Sequence, residues 1–146
     1  MAALRDLHAV EVAIAWRLPA LFRSIAAAEL RAALEGWTGG ASGRAARLRA
    51  TGAAVNGPGS AWMAGLVEDA ERATQDLPAG PMLDWALALA ARRMLAGAAL
   101  GYEALAPLGQ GALTGALTDA LTANHEEHRA AAAALQALAC PAGEAA

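Results

Sequence analysis

Along most of the chain, apolar residues recur at alternating steps of three and four, the spacing that keeps one helix face turned toward a partner. Over residues 2–25 the stripe is Leu4, Leu7, Glu11, Ile14, Leu18, Leu21 and Ile25. Over residues 27–51 it is Leu30, Leu34, Trp37, Ala41, Arg44 and Leu48. Gly36, Gly39, Gly40 and Gly43 weaken this second helix, each by about 1 kcal/mol relative to alanine, so a kink or break is expected there. Residues 51–60, rich in Gly, Asn and Pro, form the clearest loop, and Ser60 is placed to cap a short helix over 61–75. Beyond a second interruption at 77–81, Leu83, Leu87, Ala91, Met94, Ala98, Tyr102 and Leu105 mark a long helix ending at Pro107. A last helix after Gly111 carries Leu117, Leu121, Asn124, His128, Ala131, Leu135 and Leu138 inward.

Four stripes require four facing helices. The pattern therefore predicts an all-α four-helix bundle of two antiparallel hairpins, joined by a longer connection whose own short helix crosses the bundle. The bundle takes residues 1–139 as one domain, and 140–146 form a C-terminal tail. Composition agrees: 57% of the 146 residues are hydrophobic and only 4% aromatic, with alanine dominant, which favours helix and excludes a β-sandwich. So many alanines imply close helix contacts around a thin core, hence moderate subunit stability and an expected homodimer.

Eleven basic residues, all arginine, against fourteen acids leave a net charge of −3, so a nucleic-acid partner is not expected. Every uncharged run falls short of the roughly 18 residues a membrane-spanning helix needs. Acid and base at Arg5 and Asp6 interrupt any secretory leader, which points to a cytoplasmic protein. Docking on a membrane through an amphipathic face is disfavoured by the acidic balance. Cys140 has no second cysteine to pair with in the chain and reads as a small apolar residue near the end.

The informative residues are the polar ones inside the stripes: Glu11, Arg44, Asn124 and His128. A buried charge costs several kcal/mol unless it is paired or metal-bound, so these four are expected to meet at mid-bundle, with Arg44 neutralising Glu11. A core metal site is the competing chemistry, because carboxylates and Glu-x-x-His pairs on facing helices build the di-iron centres of ferritin-like proteins. Its donors here would be Glu11, His125, Glu127 and His128, holding iron or manganese and supporting a weak oxidase activity. Arginine cannot ligate a metal, and a fixed cation at Arg44 repels one. The third long helix offers only Met94, Leu95 and Ala98 at that level. No cofactor is the preferred expectation.

These residues also carry a resemblance. The string Leu7-His8-Ala9-Val10-Glu11 followed by Leu18-Pro19 resembles the opening of the YciF-type ferritin-like family, stress-associated bacterial bundles in which a first-helix glutamate ligand precedes an in-helix proline by eight residues. Residues 30–35 resemble the start of that family's second helix, and residues 61–68 its crossover segment. The resemblance spans residues 4–139. It implies a ferritin-like fold whose metal positions have changed: Trp37, Gly40 and Arg44 stand where the family carries ligands on helix two, Leu95 and Ala98 where it carries acids on helix three, and Asn124 where it carries an acid on helix four. Glu11 remains, and His128 occupies another of the family's polar positions. The resemblance thus implies a degenerate di-iron site and a structural, stress-associated or protein-binding role rather than an enzyme.

Trp37, inside its stripe, is expected to fill volume vacated by ligands. Trp16 and Trp85 lie off the stripes, where dimer contact is as reasonable as packing. Tyr102, the only tyrosine, reads as a core or interface residue. The Gly-xxx-Gly spacings at 36/40, 39/43 and 97/101 are weak signals in a glycine-rich chain. No nucleophilic triad, phosphate loop or dinucleotide fingerprint is present.

Overall fold

The structure, a computed structural model, describes residues 2–108 and 115–139, and within them it is helical with no strand. The elements are α1 (Ala2–Phe22), α2 (Ala28–Gly39), α3 (Ala41–Ala50), α4 (Ala61–Asp76), α5 (Pro81–Leu105) with a 3-10 turn at Ala106–Leu108, and α6 (Gly115–Ala139). Helix α1 packs antiparallel to the α2–α3 rod, α5 pairs with α6, and α2 and α3 lie against α6. Helix α4 crosses on the outside, against α1 and α5. The tail at 140–146, Cys140 and Gly111 lie outside the described residues.

The second apolar stripe is two helices, not one. The chain breaks at Gly40, whose backbone keeps helical angles (φ −77°, ψ −16°) while its N–H bonds back to the Thr38 carbonyl. The bend lets Trp37 and Ala41 face one half of the core and Leu48 the other. Helix α1 stops at Phe22 rather than at Ile25, and Phe22 takes the fully buried position expected of Leu21, which is only half-buried. The link to α2 is held by a residue from elsewhere: both carboxylate oxygens of buried Asp84 accept the backbone N–H groups of Ala26 and Ala27, each at 2.8 Å. Asp84 stands in the first turn of α5, where a carboxylate is also favoured by the helix dipole. Gly80 before it has φ +147°, a conformation that L side chains rarely adopt, and Pro81 opens the helix at a position needing no N–H. Ser60 precedes α4 as expected, but its side chain makes no capping hydrogen bond. At the far end of α6 Leu138 is substantially exposed, so the inward stripe closes at Leu135.

The apolar core is in two parts. One is built from Val10, Ile14, Leu18, Leu34, Trp37, Leu87, Met94 and their neighbours. The other contains Leu4, Leu7, Leu48, Leu105, Leu117 and Leu121. Between them, at the same height on α1, α3 and α6, lies a layer of buried polar side chains.

Candidate functional site

Helical spacing brings that layer together. Glu11 is one turn beyond Leu7 on α1, Arg44 one turn before Leu48 on α3, and Asn124 and His128 follow Leu121 on α6 at successive turns. All four are closed to solvent. Arg44 Nε donates to Glu11 Oε2 at 2.8 Å, and Glu11 Oε1 accepts from His128 Nε2 at 2.7 Å and from the Tyr102 hydroxyl at 2.8 Å. Trp37 Nε1 donates to His128 Nδ1 at 3.2 Å. An indole has only a donor to give, so Nδ1 must accept and Nε2 carries the ring hydrogen. Trp37 thereby fixes the tautomer that lets His128 donate to Glu11.

The second rank of contacts completes the layer. Arg44 Nη2 donates to the Trp37 carbonyl at 3.1 Å, closing the α2–α3 bend, and Nη1 reaches Glu127 at 3.4 Å. Asn124 Nδ2 donates to the Tyr102 hydroxyl (3.0 Å) and to the Arg44 carbonyl (3.2 Å). Arg47 donates to Asn124 Oδ1 at 2.5 Å and to Glu127 Oε1 at 2.7 Å, forming a half-exposed lid over the cluster. Tyr102 also stacks on the His128 ring, with centroids 5.5 Å apart and planes 30° apart, while Trp37 meets that ring edge-on. Every polar atom of the layer that is closed to solvent has a partner.

These contacts set the charge states. Burial pushes the Glu11 carboxyl upward, but the His128 hydrogen bond, the Arg44 guanidinium and the Tyr102 hydroxyl outweigh it and hold the group below the usual carboxylate range. Burial, reinforced by the Glu11 carboxylate, drives the Tyr102 phenol far up, so the hydroxyl stays a donor. Next to the layer His8 is also buried, and its Nε2 lies 3.2 Å from Arg49 Nη2. Burial and the Arg49 charge lower its basicity, against a smaller opposing effect of Glu11.

The structure thus brings Glu11, Arg44, Asn124 and His128 into one cluster. Of the alternative donors, Glu127 turns to Arg47 and Arg44, and His125 is half-buried and makes no hydrogen bond with the cluster. Both Glu11 oxygens and both His128 nitrogens are committed, and a guanidinium sits against the carboxylate. Among the described residues no three His, Cys, Asp or Glu side chains stand together as a metal ion needs. With these commitments the residues present do not fit a di-iron or manganese centre.

Sequence spacing alone missed three participants. Tyr102 was expected to be a core or interface residue with no assigned hydrogen bond, yet its hydroxyl lies at the centre of the layer. Trp37 fills volume as expected but also orients His128. Arg47, off the inward stripe, gave no signal. Two of the Gly-xxx-Gly spacings are not helix contacts, since a Cβ at Gly36, Gly39 or Gly43 would meet nothing. At Gly40 it would lie 2.8 Å from Arg44 Nη1.

Two helical hairpins with a crossing helix between them, enclosing a polar layer at mid-height, define a ferritin-like helical bundle. More specifically, a family model described as "Domain of unknown function (DUF892)" matches residues 1–145, and the chain belongs to that family. Among solved structures it is similar to that described as the crystal structure of the E. coli stress protein YciF, with a TM-score of 0.85 and 22% identity over 94% of this chain and 89% of that one. No curated protein matches the chain. Among the described residues no helix is long and apolar enough to cross a membrane.

Proposed function

We propose that this chain is a non-catalytic, cytoplasmic member of its family with a stress-associated structural or protein-binding role, in which an internal cation replaces a metal. The observation that carries this reading is Arg44. Its guanidinium is closed to solvent, donates to Glu11 at 2.8 Å, and lies over Gly40, where any side chain would collide with it. The positive charge that a carboxylate-bearing bundle core needs is supplied covalently, and a permanently protonated group has no redox chemistry to offer. The stress association rests on the similarity to the E. coli stress protein, and a homodimer on the thin, alanine-rich core.

Metal analysis of protein made without a histidine tag, after incubation with ferrous and manganous salts, tests the proposal. The expected result is metal well below one ion per chain, unchanged in Glu11→Ala. Stoichiometric iron or manganese that disappears in Glu11→Ala would overturn it. Sedimentation equilibrium should give twice the chain mass, and a concentration-independent monomer would remove the homodimer.

A further inference from the structure

The chain has two asparagines, and the fold puts them in opposite environments. Asn124 is closed to solvent inside α6. Its amide donates to the Arg44 carbonyl and the Tyr102 hydroxyl, and its oxygen accepts from Arg47. Asn56 is exposed in the connection between α3 and α4, and among the described residues its side chain has no hydrogen-bond partner. The residue that follows it is Gly57.

The backbone around Asn56 leaves an internal nucleophile free. Residues 53–57 lie in neither helix nor strand, and the Gly57 N–H makes no hydrogen bond among the described residues. A helix would occupy that N–H, as α6 does for His125, the residue after Asn124. Gly57 also has no Cβ to screen its nitrogen. Packing favours that choice of residue: a Cβ here would lie 3.1 Å from both Cβ and Cδ of Arg5 on α1. The pair therefore sits in a short exposed span between two buried residues, Val55 and Ser60.

We propose that Asn56–Gly57 is a self-modifying site, at which the folded protein converts its asparagine to isoaspartate and aspartate with water as the only co-reactant. The Gly57 nitrogen bonds to the Asn56 side-chain carbonyl carbon, and the bond from that carbon to Nδ2 breaks. Nδ2 leaves as ammonia, carrying away the proton of the Gly57 amide, and a cyclic imide remains. Water then opens the imide. Attack at the main-chain carbonyl leaves isoaspartate, with the chain running through the side-chain carbon, and attack at the side-chain carbonyl leaves aspartate. Nothing is oxidised or reduced. Because the reacting atoms belong to adjacent residues, closure needs no substrate to be captured. The product adds one negative charge to a chain whose formal net charge is already −3, and the isoaspartate route also lengthens the main chain between two buried anchors. None of this depends on what the polar layer does.

The test is to age the full chain at neutral and at mildly alkaline pH beside a synthetic peptide of residues 51–61. Both are followed by mass spectrometry of the fragment holding Asn56 and by labelling with a protein isoaspartate methyltransferase. The folded chain should convert within about tenfold of the peptide's rate, since no fold contact holds the reacting atoms apart. Conversion should be faster at the higher pH, because the attacking nitrogen is the deprotonated amide, and Asn124 should remain an amide throughout. Asn56→Gln, at an exposed position, should abolish the label while the circular dichroism melt stays unchanged. Gly57→Ala should slow conversion by about tenfold or more, because its Cβ crowds the nitrogen. Conversion more than about tenfold slower in the folded chain than in the peptide would overturn the site. So would Asn124 reacting alongside Asn56, or a label that persists in Asn56→Gln.

Discussion

Glu11 accepts three hydrogen bonds in a position closed to solvent, so its removal is felt mainly through what it leaves behind. Glu11→Ala strands the Arg44 guanidinium in the core and should cost about 3–5 kcal/mol in urea unfolding. A loss below about 1 kcal/mol would mean that the pair is hydrated in solution. The pH dependence has a definite sign. The folded-state pKa of Glu11 is held below the unfolded value of about 4.3, so its contribution is complete above that value and is lost as pH falls through the folded pKa. Unfolding midpoints measured from pH 5 downward should decline less steeply in Glu11→Gln. His8 acts in a higher window: its pKa is lowered by burial and Arg49, so the unfolded chain binds the proton first and stability declines as pH falls below about 6.5. His8→Gln should flatten that segment of the curve. The Glu11 and Arg44 positions were legible in the sequence because a charge inside an apolar stripe has few other places to go. The tautomer of His128 was not, since it depends on an indole donor 91 residues away.

At the scale of the element, glycine separates two roles that spacing cannot. Gly36 lies inside α2 with open space where a Cβ would be, and Gly36→Ala should stabilise by up to about 1 kcal/mol through helix propensity alone. Gly40 has the same helical backbone angles, so alanine meets no backbone strain there. Its Cβ would nevertheless press on Arg44 Nη1, and Arg44 cannot swing aside without giving up Glu11 and the Trp37 carbonyl. Gly40→Ala should therefore lower the melting temperature where Gly36→Ala raises it; similar shifts from both would show that Arg44 has room to move. Helix existence was readable from the three-and-four spacing for every long element. The break at Gly40 was expected from glycine density, but its position follows from the need to aim Trp37 and Arg44 at different neighbours. The end of α1 was misread by three residues, because the turn after Phe22 is held by Asp84 from a helix that starts 59 residues later.

Across the whole molecule the polar layer divides an alanine-rich bundle into two apolar compartments and ties α1, α3, α5 and α6 at one height. Helices lined with small residues can slide past one another at little cost, whereas a satisfied polar cluster fits in only one register. A variant carrying Glu11→Leu, Trp37→Phe, Arg44→Met, Tyr102→Phe, Asn124→Leu and His128→Leu, which leaves no buried donor of the layer without its acceptor, should keep its helical circular dichroism and much of its stability, since apolar replacement of a buried ion pair is often neutral or better. Its amide spectrum should broaden as alternative registers become populated. A spectrum as sharp as that of the parent would show that alanine packing alone specifies the bundle.

The sequence by itself determined the helices, their inward faces, the all-α bundle class and the four buried polar positions, because these follow from periodicity and from the cost of hiding charge, both local properties of the chain; the ferritin-like character was implied by the family resemblance. Only the tertiary structure decided which donor meets which acceptor, that Tyr102, Trp37 and Arg47 complete the layer, that Asp84 closes the first turn, and that the Ser60 hydroxyl is buried without a hydrogen-bond partner. Hydrogen bonding requires a few tenths of an ångström and a particular side-chain direction from residues far apart in sequence, and no one-dimensional spacing encodes that.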